Sequence, residues 1–200
     1  FWDEWWDKGR PVTRSMRRRF DTDGLWPMLQ RTLKNLLSEQ NKELPDDVRE
    51  KLKHWLELSQ SPQFGDSPTD YYALIGRGLF EAREFEEALS TLNDGLHYAD
   101  SPEQMEQLYQ DLGTIYYFKG YKLQPNGLAQ YDLNDVRDSV ESYEIALSFG
   151  EDPYLYGNLG WGYYLLGDYS SSIDSSLHAL AIKPELNYVR MNLGIAYLIK

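Results

Sequence analysis

The sequence of 200 residues is acidic, with 20 lysines and arginines against 32 aspartates and glutamates, and it contains no cysteine. A net charge of −12 argues against non-specific binding to nucleic acid, whose phosphates require a basic surface. The lack of cysteine excludes disulfides, thiolate catalysis and cysteine-based zinc sites. No apolar run in the sequence approaches the ~20 residues of a membrane-spanning helix.

Residues 1–20 form an aromatic and then basic segment, FWDEWWDKGRPVTRSMRRRF, with a net charge of +3, whereas the remaining residues carry −15. Its aromatic residues recur at a helical spacing and predict one apolar face. Two interpretations stay open. The face packs on the following helices as an N-terminal cap, or the segment lies at a membrane edge and places the protein at the inner, cytoplasmic face of a membrane. The residues expected to contact the membrane are Trp2, Trp5, Trp6, Arg17, Arg18 and Arg19.

Residues 21–68 predict a helical capping region of two helices and a linker. Leucines from Leu25 to Leu37 keep a helical spacing, and so do the apolar residues between Val48 and Leu56. The stretch 59–68, SQSPQFGDSP, is composed of turn-forming residues and predicts the linker.

From residue 69 to residue 200 the sequence repeats a pair of helices, and four segments align on one glycine. These segments are YYALIGRGLF (71–80), YQDLGTIYYF (109–118), YGNLGWGYYL (156–165) and VRMNLGIAYL (189–198). The aligned glycines are Gly76, Gly113, Gly160 and Gly194, at spacings of 37, 47 and 34 residues. Each of the first three is followed by a second amphipathic segment, at 84–99, 135–150 and 168–184, which predicts a second helix.

This pattern resembles the tetratricopeptide repeat (TPR) family, whose unit is a helix-turn-helix of ~34 residues. The third unit matches the family skeleton at Tyr156, Leu159, Gly160, Tyr163, Gly167, Tyr169, Ala179 and Pro184. It departs at Ser172 and Ser176, where the family has alanine and an aromatic residue. The resemblance covers about two thirds of the chain. It implies an all-α solenoid, a right-handed superhelix of three repeats plus the first helix of a fourth.

Two irregularities interrupt the array. The second unit contains an insertion at 121–134, YKLQPNGLAQYDLN, with a Pro-Asn-Gly turn. We expect a loop there, either a tolerated surface loop or a contact for a specific partner. The fourth unit stops at Lys200 after its first helix. Because solenoids normally finish with a polar capping helix, we expect that the parent protein continues or that another chain covers this end, for example by self-association.

The sequence offers no catalytic constellation, metal site or cofactor motif. His54, His97 and His178 are isolated from one another, and the glycines of GRGLFEA (76–82) fall within a predicted helix pair rather than a phosphate-binding loop. We therefore expect a protein that is not an enzyme and needs no cofactor.

The resemblance implies that the first helix of each unit lines a concave groove for a partner peptide or helix. Carried over by the glycine register, the expected groove residues are Tyr154, Asn158, Trp161, Tyr164, Asn192, Tyr117, Phe118 and Arg77. Large aromatic residues contribute apolar contact area with little entropy loss, and an asparagine amide can pair with a peptide backbone. Alternatively, Trp161 packs on a neighbouring helix, and Asn158 and Asn192 are simply common at this family position. Because Arg77 is the only basic residue among the mapped positions, a clamp for acidic chaperone tails is not expected.

The expected function is thus a non-catalytic protein-protein interaction scaffold without nucleic-acid partners. The alternative is a soluble cytoplasmic regulatory or sensory segment of a membrane-anchored protein or larger enzyme.

Overall fold

The computed structural model describes residues 68–200 continuously, together with residues 31, 33–35, 37, 38, 46, 49, 50, 52, 53 and 56. The predicted N-terminal segment, with Trp2, Trp5, Trp6, Arg17, Arg18 and Arg19, lies outside the described residues. The chain divides into two compact units, Phe1–Ala99 and Asp100–Lys200.

In the first unit, helix α1 spans Pro68–Glu81 and helix α2 spans Phe85–Leu96. Before them, the described residues 31, 33–35, 46, 49, 50, 52, 53 and 56 are helical. Leu33 and Leu52 are fully buried, as the predicted apolar stripes require.

The second unit begins with helix α3 (Pro102–Gly120), which leads into strands β1 (Tyr121–Leu123) and β2 (Ala129–Tyr131). Helices α4 (Leu133–Leu147), α5 (Pro153–Leu166), α6 (Tyr169–Ile182) and α7 (Asn187–Ile199) follow. The predicted helical architecture is confirmed at this level, since the described chain is mostly helical. The insertion, however, is an antiparallel β-hairpin and not the loop expected in an all-α chain.

Side-chain caps start four of these helices. Ser101 accepts a hydrogen bond from the Gln104 N–H at α3. Asp132, Asp152 and Asp168 accept in the same way at α4, α5 and α6. Such caps satisfy N–H groups that have no partner within the helix, and the carboxylates also face the positive end of the helix dipole.

Three helix pairs share one close contact between a glycine of the first helix and the second helix. A Cβ built on Gly76 would lie 2.5 Å from Leu92 of α2. The corresponding atom on Gly113 would lie 2.7 Å from the Tyr143 ring of α4, and that on Gly160 would lie 2.5 Å from Ser176 of α6. Since even a methyl group would clash, glycine at these positions sets how closely each pair packs.

Two of these pairs also share a hydrogen bond. Ser139 Oγ of α4 donates to the Gly113 carbonyl at 2.7 Å, and Ser172 Oγ of α6 donates to the Gly160 carbonyl at 2.7 Å. Ser172 is fully buried. Its hydrogen bond offsets the free-energy cost of removing the hydroxyl from water.

Helix α5 packs against α4, α6 and α7. Its glycines permit two of these approaches, since a Cβ on Gly162 would lie 2.5 Å from Val140 of α4 and one on Gly157 would lie 2.7 Å from Val189 of α7. Leu155 and Leu159 of α5 complete a buried cluster with Val140, Tyr143 and Ala146 of α4. None of the helices in the described part of the chain is long and apolar enough to cross a membrane.

Candidate functional site

The β-hairpin brings aromatic residues of the insertion next to those of α3 and α5. Its strands pair in the register Tyr121↔Tyr131, Lys122↔Gln130 and Leu123↔Ala129. The Gln124 carbonyl accepts from the Gly127 N–H at 2.9 Å, and the Asn126 side chain accepts from the Leu128 N–H at 3.0 Å. Gly127 has a φ of 80°, the left-handed conformation that a three-residue hairpin loop requires and that glycine adopts without strain.

The base of the hairpin is fixed to the helices on either side. The Asp132 N–H donates to the Gly120 carbonyl at 2.9 Å and closes the ladder where α3 ends. Lys119 Nζ lies 2.7 Å from Asp135 Oδ1, and both side chains are largely shielded from solvent. A Cβ on Gly120 would lie 2.8 Å from the Cβ of Asp135, so α3 and α4 approach closely at this point. These contacts hold the hairpin in one orientation.

Four rings form the candidate site, which we call the aromatic cluster: Tyr117 of α3, Tyr131 of β2, and Trp161 and Tyr164 of α5. Trp161 Nε1 donates to Tyr117 Oη at 3.2 Å, and Tyr117 Oη is 3.2 Å from Tyr131 Oη. The Trp161 and Tyr164 rings stack with centroids 5.1 Å apart and an interplanar angle of 16°. The Tyr131 and Trp161 rings pack edge-on with their centroids 6.5 Å apart.

Three further rings extend the aromatic cluster at its margins. Phe118 packs edge-on against Tyr117 at 5.4 Å, and Tyr121 packs against Tyr131 at 5.5 Å. Tyr169 of α6 contacts Tyr164 at 5.8 Å. Phe118 is 42% exposed, and the four central rings are half-buried, so the surface is accessible to a ligand.

The polar atoms at the centre of the cluster are engaged with one another. Burial, together with the hydrogen bond to Tyr131, raises the pKa of Tyr117 well above its ordinary value. The hydroxyl is therefore neutral at physiological pH and acts as a hydrogen-bond partner rather than as a proton-transfer group. Besides the Tyr164 hydroxyl, a ligand meets the faces and edges of the rings, which suit apolar and aromatic side chains.

The structure brings four of the predicted groove residues together, namely Tyr117, Phe118, Trp161 and Tyr164. Asn158, half-buried on α5, is not one of these rings, and its side chain is near enough to the Tyr143 hydroxyl to influence the pKa of that group. Burial raises the pKa of Tyr143, and hydrogen bonds from Thr114, Ser139 and Asn158 oppose that effect. Asn158 is thus near the contact between α5 and α4.

The other predicted groove residues are Tyr154, Asn192 and Arg77. Tyr154, at the start of α5, is 46% exposed, and its hydroxyl accepts from Lys183 Nζ at 2.5 Å. Asn192 is buried on α7. Arg77 is half-buried on α1, in the first unit.

Sequence reasoning missed Tyr131, Tyr121 and Tyr169. A signal for the first two was present, because Tyr121 and Leu123 alternate before the Pro-Asn-Gly turn as Ala129 and Tyr131 alternate after it. Apolar residues at every second position on both sides of a short glycine-containing turn predict a β-hairpin. The alternate residues of its two strands then share one face.

The candidate site consists of aromatic rings, one indole N–H and three phenol hydroxyls. The four residues of the aromatic cluster include no carboxylate or imidazole side chain. The described residues contain no cluster of histidine, aspartate and glutamate that could hold a metal ion. The chain matches no protein-family model, and no curated protein is significantly similar to it.

Proposed function

We propose that this chain is a non-catalytic scaffold that binds an apolar or aromatic segment of a partner protein on the aromatic cluster. The observation that carries the proposal is the pairing of the Trp161 indole N–H and the Tyr117 and Tyr131 hydroxyls among themselves. Accessible rings gain free energy when an apolar side chain covers them, and the indole N–H and the two hydroxyls that are paired with each other are not left unpaired by this burial.

We further propose that the scaffold is a TPR-type solenoid. Equivalent residues support this assignment, because a buried apolar side chain precedes the aligned glycine by five positions in three units: Leu108, Leu155 and Val189. The shared glycine contacts of the three helix pairs point the same way. In this arrangement α7 is the first helix of a fourth unit.

The net charge of the second unit indicates which charge the partner segment should carry. Residues 100–200 contain fourteen acidic and six basic side chains, a net charge of −8. Long-range attraction therefore favours a partner segment in which apolar residues are flanked by lysine or arginine. An acidic segment would be repelled.

The test is partner capture by the purified chain carrying Trp161→Ala and Tyr164→Ala. We expect this double variant to lose capture by at least tenfold, because buried aromatic anchors commonly contribute 2 kcal/mol or more, about thirtyfold, to binding. Tyr197→Ala, which removes an exposed ring from α7, is the matched control and should capture normally. Far-ultraviolet circular dichroism establishes that both variants remain folded.

A second readout reports on the site directly. The sequence contains six tryptophans, and Trp161→Phe identifies the indole N–H signal of Trp161 in a ¹⁵N nuclear magnetic resonance spectrum. Binding at the cluster should shift this signal, since its hydrogen bond to Tyr117 lies inside the site. The assignment would be refuted if the double variant captured the partner undiminished and if, in the original chain, the partner left the Trp161 signal unmoved.

A further inference from the structure

The outer edge of β2 presents backbone groups that no other part of the hairpin uses. Two hydrogen bonds show which residues are bonded across the hairpin. The Asp132 N–H donates to the Gly120 carbonyl, and the Gln124 N–H donates to the Leu128 carbonyl. In an antiparallel pair, residues alternate between those bonded across the ladder and those whose N–H and C=O point outward. Ala129 and Tyr131 belong to the second kind, so β2 offers two N–H donors and two C=O acceptors on its free edge.

These outward groups have no partner in the part of the chain that the structure describes. No backbone hydrogen bond there involves the N–H or C=O of Ala129 or Tyr131. The outer edge of β1 has fewer free donors, because the Tyr121 N–H already donates to the Tyr117 carbonyl of α3. Strand β2, with the sequence AQY, also lacks the lysine or proline with which proteins commonly block a strand edge.

The free edge lies beside the aromatic cluster rather than facing it. Side chains of Tyr121, Leu123, Ala129 and Tyr131 share one face of the hairpin, by alternation from the paired register. Tyr131 extends from that face to Trp161, so the cluster lies against the face and leaves the edge open in the plane of the strands. Leu123, 65% exposed, extends the apolar face towards the tip.

We propose that β2 receives an extended segment of a partner protein as a third, antiparallel strand, with alternating apolar and basic side chains. In this geometry the residue opposite Tyr131 places its side chain on the face shared with Trp161, so the apolar positions cover the cluster. The acidic charge of −8 in residues 100–200 favours lysine or arginine at the intervening positions. The same charge opposes pairing of this edge with a second copy of the chain.

This inference rests on the proposed function, because it specifies how the partner segment lies on the aromatic cluster. Its probes are acetylated octapeptides of alternating valine and lysine, titrated into the ¹⁵N-labelled full chain while the Trp161 indole signal is followed. We expect saturable binding by the valine–lysine peptide and at least tenfold weaker binding by a valine–glutamate peptide of the same length.

Backbone N-methylation distinguishes a strand from any other bound conformation. In an antiparallel third strand, the valine N–H groups point to β2 and the lysine N–H groups point to solvent. Methylating two central valine nitrogens should weaken binding about tenfold or more, through lost hydrogen bonds and steric exclusion. Methylating two central lysine nitrogens should change it less than threefold. Equal effects of the two modifications, including no effect of either, would overturn edge pairing.

Two variants of the protein test the same edge. Ala129→Pro removes an outward N–H without removing a bond of the hairpin ladder, and it should weaken the valine–lysine peptide about tenfold. Ala129→Val keeps the N–H and should bind like the original chain. In both variants an unchanged Trp161 signal before titration establishes that the hairpin is intact.

The failure of this inference is separable from the failure of the proposed function. If the peptide moves the Trp161 signal but neither methylation nor Ala129→Pro matters, the aromatic cluster binds without the strand edge. If no octapeptide binds while partner capture still requires Trp161 and Tyr164, edge pairing is wrong and the scaffold proposal stands. A dimer found by light scattering and abolished by Ala129→Pro would assign the edge to a second copy and would also overturn the inference.

Discussion

The helix pairs α3–α4 and α5–α6 have the same internal packing and differ in how their two helices are joined. In both pairs a glycine faces the second helix and its carbonyl accepts a hydrogen bond from a serine hydroxyl. The two pairs differ from the seventh residue after each glycine onward. Gly167 ends α5 with a φ of 82°, and the chain turns at once into α6. Gly120 ends α3, and the chain instead continues into the β-hairpin.

This difference shows that packing within a pair and the connection between its helices are separable. The glycine contact depends on residues near the middle of each helix, whereas the connection only has to return the chain to the start of the second helix. An insertion at that point therefore leaves the glycine–serine contact unchanged and places new side chains, above all Tyr131, against the aromatic residues of α5.

The largest effect should come from the buried leucines that the two pairs share. Leu108 of α3 and Leu155 of α5 are fully buried and precede their glycines by five positions. Leu108→Ala and Leu155→Ala should each lower the free energy of unfolding by about 3 kcal/mol, through lost apolar burial and the cavity left behind. Urea denaturation followed by circular dichroism measures this. The control is Leu123→Ala on the exposed hairpin face, which should change stability by less than about 0.5 kcal/mol. A large difference between the two buried leucines would contradict their equivalence.

The two glycines should tolerate a methyl group to different degrees. Gly113→Ala would press on the ring of buried Tyr143, and Gly160→Ala would press on the hydroxyl of Ser176. A serine hydroxyl can rotate away, but an enclosed ring cannot. We therefore expect Gly113→Ala to cost about 2 kcal/mol and Gly160→Ala about 1 kcal/mol, after the better helix propensity of alanine is included. The reverse order, in the same denaturation experiment, would show that the α5–α6 contact is the more rigid one.

Because of Tyr117, the stability of the α3–α4 pair should depend on alkaline pH. Its pKa is raised by burial and by the hydrogen bond to Tyr131, so the folded chain retains a proton that the unfolded chain releases above pH ~10. Because the folded state then binds more protons, the free energy of unfolding should fall as pH rises above that value. One such group contributes up to about 1.4 kcal/mol per pH unit. Tyr117→Phe should make the decline shallower in denaturation curves recorded between pH ~9 and ~11.5, the range around the ordinary tyrosine pKa. Measurements at neutral pH separate this effect from the lost hydrogen bonds, and an unchanged slope would contradict it.

Local signals predicted the shared part of the two pairs better than the part in which they differ. Periodicity along single helices placed Gly113 and Gly160 in helices. The grouping of Tyr117, Trp161 and Tyr164 on one candidate surface was instead an expectation carried over from the family resemblance. The contact between Tyr131 and Trp161 joins residues that are distant in the sequence, and no periodicity specifies it. Two strands of three residues are also too short to give a strong pattern, although the alternation around Pro-Asn-Gly was present.

The same limit explains the asparagines. Asn158 and Asn192 occupy equivalent sequence positions, yet Asn158 is half-buried near Tyr143 while Asn192 is buried on α7. Their surroundings depend on which neighbouring helix each one meets, and that is decided by packing rather than by register.

The smallest effect concerns the turn that α1–α2 and α5–α6 have in common. Arg83 follows Gly76 by seven residues, as Gly167 follows Gly160, and both adopt a positive φ, 63° and 82°. A residue with a Cβ is strained there by about 1–2 kcal/mol. Arg83→Gly relieves that strain but adds flexibility to the unfolded chain, so it should stabilise the protein by only about 0.5 kcal/mol. Gly167→Ala should do the opposite and cost about 1 kcal/mol, since a Cβ at residue 167 would meet no atom within 4 Å and the backbone conformation is the sole source of strain. Thermal unfolding of the two variants against the original chain measures both changes, and shifts of the same sign would show that the two turns are not equivalent.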